Sequence, residues 1–402
     1  MHPAAPSSSA PLKAPPTASA RQWELDMLRG LLLVLMTLTH MPTGFSLPLG
    51  QPFGFVSAAE GFVFLSAVMV GRVYGSQALR HGMPAMRASV FGRVQRLYLC
   101  QAGLLLLAFS LIAWLGVHNH QGGVTGLLEF YMDRPWTAVL AAGMLVYNPP
   151  LLDILPMYIV FMALTPWLLS HGHRRGWGLL LCASALLWLA EQWSAGAWLY
   201  GTLAGWSPVP YKDLGAFHWL AWQGLWMAGL WLGARRDPLP RLPGWLVAAA
   251  ALYAMVMLAW RHNVGQDPMP GVAAVALLFD KWALGPLRVL NFSSLLILLL
   301  AAGPWLRRSL PRVTPLELMG RHSLAVFCAH VVVALFTLAF FGSTEVIRPW
   351  TTDAILLLGA FAALLTTALV LEERRQASGT RRGPKAAGGP TPPAATAHSP
   401  RH

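Results

Sequence analysis

Arg29, His40 and Glu60 are the residues near the start of this chain whose types and spacing suit chemistry. His40 follows Arg29 by eleven positions, about three turns of α-helix, so the two fall within roughly 20° of each other and about 16 Å apart along the axis. Both sit in or beside an apolar run, where an ionisable group is costly and marks a functional site by default. Asp26 precedes Arg29 by three positions and can pair with it across one turn. Leu33 and Met36 share the Arg29–His40 face, which reads as one wall of a channel or cavity. Glu60 is about two turns into the next apolar run. A short loop joins the runs, so Glu60 should lie at the depth of His40, the arrangement of a base oriented by a carboxylate. The plainer alternatives are a snorkelling Arg29, a His40 satisfied by Thr37, Thr39 or Thr43, and a Glu60 paired with another helix.

The elements that must position these residues follow from composition. The chain has 402 residues, 55% hydrophobic and 11% charged, where soluble domains carry about 25% charged residues. A bilayer is the implied solvent. About ten runs approach the ~20 residues needed to cross it. They lie near 27–45, 53–74, 96–116, 151–170, 177–192, 217–233, 244–260, 289–306, 322–341 and 352–371. A shorter apolar piece at 137–147 reads as interfacial or re-entrant. The expected fold is therefore all-α and polytopic.

Charge sets the orientation. Arg21, then Arg80, Arg87, Arg93 and Arg96, then Arg174 and Arg175, then Arg235, Arg236 and Arg241, then Arg307, Arg308 and Arg312 fall on one set of ends and loops. The alternate loops hold few: Arg134, Lys212, Arg261, Lys281, Arg288 and Arg348. The positive-inside rule then places both termini in the cytoplasm. It also accounts for the net charge of +13 without a nucleic-acid partner. Residues 1–23 and 374–402 read as disordered cytoplasmic tails flanking a transmembrane domain over 24–373. Residues 1–20 lack the apolar core of a signal peptide. Cys100, Cys182 and Cys328 are far apart in apolar stretches and read as small fillers.

Further candidates are weaker. Arg93 and Arg96 suit phosphate groups, as in a nucleotide-bearing donor. Asp153, Gln223, Asn291 and His330 are polar groups in or beside spans, where helix–helix hydrogen bonding is the commoner use. His330, in mid-span, is the best rival to His40. No Walker loop, dinucleotide fingerprint, HExxH or Gly-x-Ser-x-Gly motif occurs, and nothing calls for a metal.

Leu25-Asp26-Met27-Leu28-Arg29-Gly30 with His40 resembles the first-helix signature of the type-three membrane acyltransferase superfamily. Glu60-Gly61-Phe62-Val63-Phe64-Leu65-Ser66 is similar to its second-helix pattern, with Ala67 where Gly often stands. Arg93-Val94-Gln95-Arg96-Leu97-Tyr98 is similar to its basic third-helix motif. Leu38–Thr43, Gln51–Glu60, Asp153–Tyr158, Leu284–Arg288 and Gly320–Leu324 resemble the OpgC branch, which is associated with succinylation of osmoregulated periplasmic glucans.

The resemblance implies a multi-pass protein of the bacterial inner membrane. Acyl-CoA, succinyl-CoA for this branch, would enter from the cytoplasm as donor substrate, with no cofactor bound permanently. A periplasmic glucan or other glycan would supply the acceptor hydroxyl. His40 and Glu60 would be catalytic, and Asp26, Arg29, Arg93 and Arg96 would hold the donor. Asp153, Gln223 and His330 would contact substrate. The less polar Ala216-Phe217-His218-Trp219 departs from the glucan branch and bears on the acceptor. The competing expectation is a proton-coupled transporter or flippase, in which intramembrane Arg, His and Glu are equally at home.

Overall fold

An apolar run can cross a bilayer only if its backbone is satisfied internally, and helices do this segment by segment. The computed structural model describes residues 22–237, 240–343 and 348–380, and every regular element among these is helical. The main helices are α1 (Trp23–His40), α2 (Ala58–Leu107), α3 (Ile154–Arg175), α4 (Gly178–Glu191), α5 (Ala195–Leu203) and α6 (Trp219–Ala234). They continue with α7 (Gly244–Val264), α8 (Pro286–Ser309), α9 (Thr314–Arg321), α10 (Ser323–Phe341) and α11 (Trp350–Thr380). A π-turn at Ala108–Ile112 carries α2 on to His118. The apolar piece expected at 137–147 includes a nine-residue helix, Pro135–Gly143.

Among the described residues, six helices are long and apolar enough to cross a membrane, or seven if the α4–α5 pair, bent by 81°, is one span. That is fewer than the ten expected, and the sources of the difference are visible. The 61-residue stretch Ala58–His118 takes in two of the expected runs, on either side of a kink at Gly82 (φ 81°, ψ 168°) that Pro84 follows. A φ in this region suits only glycine at low cost. Helix α1 contains Glu24, Asp26 and Arg29, and α6 has only 16 residues. Large apolar side chains cover the outer surface, as lipid contact requires. Trp136, Trp198, Trp206 and Trp350 are 81%, 72%, 90% and 72% exposed, which suits anchoring at a membrane interface. Residues 1–21 and 381–402 of the expected tails lie outside the described residues. The tail boundaries need correction, because α1 already starts at Trp23 and α11 runs unbroken past 373 to Thr380.

Close backbone packing fixes the frame around α1. A Cβ on Gly30 would run into the carbonyl of Leu316 on α9, and one on Gly320 into the carbonyl of Asp26. Helices α1 and α9 therefore touch backbone to backbone, an approach only small residues permit. Gly229 and Gly233 of α6 do the same against the Phe64 and Val68 carbonyls of α2. The loop after His40 is tied to the start of α11. Asp353 accepts the Gly44 N–H at 2.7 Å, and Arg348 donates to the Pro42 carbonyl. The C-terminal end of α1, and with it His40, is thus held from both sides.

Candidate active site

His40 ends α1 and faces α10. Its Nδ1 lies 2.9 Å from Nε2 of His330, and His330 Nδ1 lies 2.9 Å from the carbonyl oxygen of Phe327. A carbonyl only accepts, so His330 Nδ1 carries a hydrogen. In a neutral His330 the Nε2 is then a lone pair, and it accepts the Nδ1–H of His40. This chain of contacts leaves the lone pair of a neutral His40 on Nε2. His330 is fully buried, while His40 lines a cavity of about 550 Å³ together with Ser57, Lys281 and Arg288.

Glu60 does not orient His40. It sits in the first turn of α2 and closes a capping box with Ser57, accepting both the Ser57 N–H at 3.1 Å and the Ser57 hydroxyl. Its other oxygen accepts Arg288 Nε at 2.5 Å, with both side chains almost fully buried. Arg288 also donates to the Phe279 carbonyl at 3.4 Å. The carboxylate is consumed by this pair, and the orienting partner expected for His40 is His330 instead.

The other end of α1 carries Arg29. It is buried, donates to the Met69 sulfur at 3.3 Å and lies over the Phe62 ring. Arg29 and Arg93 line one narrow cavity with Ser66, Tyr158 and Phe327. Phe327 therefore both borders the Arg29 cavity and anchors the His pair through its carbonyl. Asp26 is fully buried one turn before Arg29. Arg96 does not join this group: it is exposed and donates to the Gly92 carbonyl at 3.2 Å.

The expected substrate contacts fare differently. Gln223 is saturated by α4 and its own helix, bonding the Ser184 hydroxyl and carbonyl and the Leu220 carbonyl. It joins helices, with both of its amide hydrogens committed to carbonyls. Asp153 caps the start of α3 and accepts the Ala216 N–H at 2.9 Å. Burial pushes its carboxyl up from 3.8 to about 6, against the pull of that N–H. It latches the loop before α6. His330, taken from the sequence as a substrate contact, is the partner of His40.

Two residues beside His40 were not among the expected site residues: Lys281 was read as a loop charge, and Arg288 as a loop charge that also closes the Leu284–Arg288 resemblance. Arg288 neutralises Glu60 beside the His40 cavity. Lys281 lines that cavity on a loop whose carbonyls are pinned from α4 and α6. Trp222 and Trp188 indoles donate to Trp282 and Leu284, and Gln192 donates to Ala283, at 2.9, 2.9 and 3.0 Å. Burial lowers the Lys281 ammonium from its usual range, while Glu60 and Asp153 pull the other way. The signal available in advance was a charged pair flanking Trp282-Ala283-Leu284-Gly285-Pro286-Leu287, a segment too apolar for an ordinary loop.

Apolar helices wide of any soluble composition, with a hydrogen-bonded histidine pair between two cavities, define a polytopic helical membrane protein with a buried polar site. The family model for OpgC protein matches residues 21–376, and the chain belongs to that family. No curated protein and no solved structure matches it.

Proposed function

We propose that the protein is an inner-membrane O-acyltransferase that moves an acyl group, succinyl by family, from cytoplasmic acyl-CoA to a hydroxyl of a periplasmic glucan. The observation that carries this reading is the His40–His330–Phe327 line of hydrogen bonds, which leaves His40 Nε2 as a base on a cavity wall. Membership of the OpgC family supports the succinyl group and the glucan acceptor. In this reading the chain crosses the membrane ten times, with both termini and the Arg29 cavity toward the cytoplasm and the His40 cavity toward the periplasm.

The acceptor hydroxyl attacks the thioester carbonyl while His40 Nε2 takes its proton. Collapse of the tetrahedral intermediate breaks the carbon–sulfur bond and expels the CoA thiolate, which takes the proton back from His40. The products are a glucan ester and free CoA. His330 holds the His40 tautomer throughout. Arg29 and Arg93 hold anionic parts of the donor.

The test is mass spectrometry of periplasmic glucans from cells making wild-type or His40→Gln protein at equal levels. Loss of glucan-linked succinate in the variant is expected, and undiminished succinate sinks the assignment. Two cavities at opposite ends of α1 would also suit a transporter. Saturable acyl-CoA binding in detergent favours the enzyme; solute uptake into proteoliposomes without CoA favours transport.

A further inference from the structure

Lys281 lines the His40 cavity on a rigid loop. Among the described residues it makes no hydrogen bond or ion pair, and its near contact is the Trp282 ring, 4.4 Å from Nζ to the ring centroid. Its neighbours make hydrogen bonds elsewhere, although the Asp267 and Asp280 carboxylates line the same cavity. Arg288 is matched to Glu60. Asp280 accepts the Ala283 N–H at 2.5 Å, and Asp267 accepts the Met269 N–H at 3.2 Å. Asp153 accepts the Ala216 N–H and, with Glu60, attracts the ammonium only at longer range. Lys281 is half-buried on the cavity wall, and the loop that carries it is fixed at three successive carbonyls from two helices. A structural cation needs no such rigid mount; a recognition group does, because pre-ordering lowers the cost of binding.

The cavity that Lys281 lines is the one that holds His40 and thus, in the acyl-transfer reading on which this inference rests, the thioester carbonyl. Whatever an acyl group carries beyond that carbonyl extends into the same space. In a short diacid the free carboxylate is roughly 4 Å from the reacting carbon, two or three bonds on. An anion on the acyl tail would therefore meet this ammonium, whereas the same tail ending in a methyl group would leave it unpaired.

We propose that Lys281 is the subsite for the free carboxylate of a short dicarboxylic acyl donor, and that it sets the preference for a diacid over a monoacid. The pairing is one charge-assisted hydrogen bond on the wall of a cavity, enough for a preference of about 10- to 100-fold. Lysine, a compact point charge, suits a carboxylate that arrives on donors of slightly different length.

The experiment uses the full chain in detergent with succinyl-CoA and butyryl-CoA, which match in carbon number and differ in the terminal charge. A linear glucose oligosaccharide serves as acceptor, and released CoA and sugar ester are both measured. Wild-type protein should favour succinyl-CoA in kcat/KM by about tenfold or more. Lys281→Met should lose that preference, its succinyl kcat/KM falling to about its own butyryl value, and Lys281→Arg should restore part of it. Melting temperatures of Lys281→Met and a second variant, Lys281→Gln, control for folding. A wild type with no preference, a Lys281→Met variant that keeps it, or equal loss of both donors overturns the proposal. So does failure of both neutral variants to fold, which would make Lys281 a structural residue. Wild-type protein that consumes neither donor would instead overturn the acyl-transfer reading, and this inference with it.

Discussion

His40 Nδ1 and His330 Nε2 are 2.9 Å apart, across 290 residues of sequence, and the Phe327 carbonyl fixes which nitrogen of the pair holds the shared hydrogen. The relationship assigns different work to the two rings. His40 presents a lone pair to a cavity, and His330 keeps that lone pair on Nε2.

Substitution separates the two roles. His40→Gln should lower transfer by about 10³-fold, the size of a lost general base. His330→Leu removes the acceptor for His40 Nδ1–H and frees the tautomer, with a loss of about 10- to 100-fold. His330→Asn keeps a carbonyl acceptor and should fall less. The check is ester formation at matched protein levels. Equal activity of His330→Leu and wild type would remove His330 from the mechanism.

The Glu60–Arg288 pair is a stability determinant. Glu60→Gln leaves Arg288 buried without its counter-charge, and Arg288→Met does the same to Glu60. Either change should cost about 3–5 kcal/mol. The double variant Glu60→Gln/Arg288→Met should recover part of the loss, since neither charge is then stranded. Thermal unfolding in detergent reads this directly; simple additivity of the two single losses is the outcome that denies the pairing.

The α1–α9 contact is closed by backbone. Gly30→Ala and Gly320→Ala each place a methyl group against a carbonyl that cannot rotate away, so each should destabilise by about 1–3 kcal/mol. Parting the helices also shifts Arg29. Donor binding should weaken in both variants even at temperatures where they remain folded, as titration with acyl-CoA would register. Unchanged melting would mean that the helices sit farther apart.

Asp153 gives a pH signature. Its folded pKa of about 6 lies above the ordinary 3.8, so its protonated form favours the folded state. That contribution is complete below 3.8 and is lost as pH rises toward 6. From the shift, the loss is about 3 kcal/mol. Asp153→Asn keeps an acceptor for the Ala216 N–H without a charge. The variant should melt above wild type at pH 8 and alongside it at pH 4. A difference that does not change with pH would contradict the assignment.

The Arg29–His40 face was legible because helical periodicity is local: an eleven-residue offset returns to nearly the same side of the helix. The depth argument also put Glu60 near His40, and Glu60's partner Arg288 lines the same cavity. The partner of each was not legible. Glu60 meets Arg288 and His40 meets His330 through contacts spanning 228 and 290 positions, and no pattern within one helix encodes which distant helix packs against it. The same limit applies to Gln223, whose bonds to α4 depend on how two helices meet. Arg96 failed for a different reason. It is three residues from Arg93, yet the cavity admits Arg93 and leaves Arg96 exposed.

The sequence by itself determined that this chain is helical and built for a bilayer, and which face of its first helix carries ionisable groups. These follow from composition, period and the cost of charge in hydrocarbon, all of which act along the chain. Only the tertiary structure decided that His330 and not Glu60 is the hydrogen-bond partner of His40, and that Lys281 lines the same cavity without a hydrogen bond or ion pair among the described residues. Those outcomes depend on which buried donors find which acceptors once the helices pack, and desolvation makes that competition one between neighbours in space.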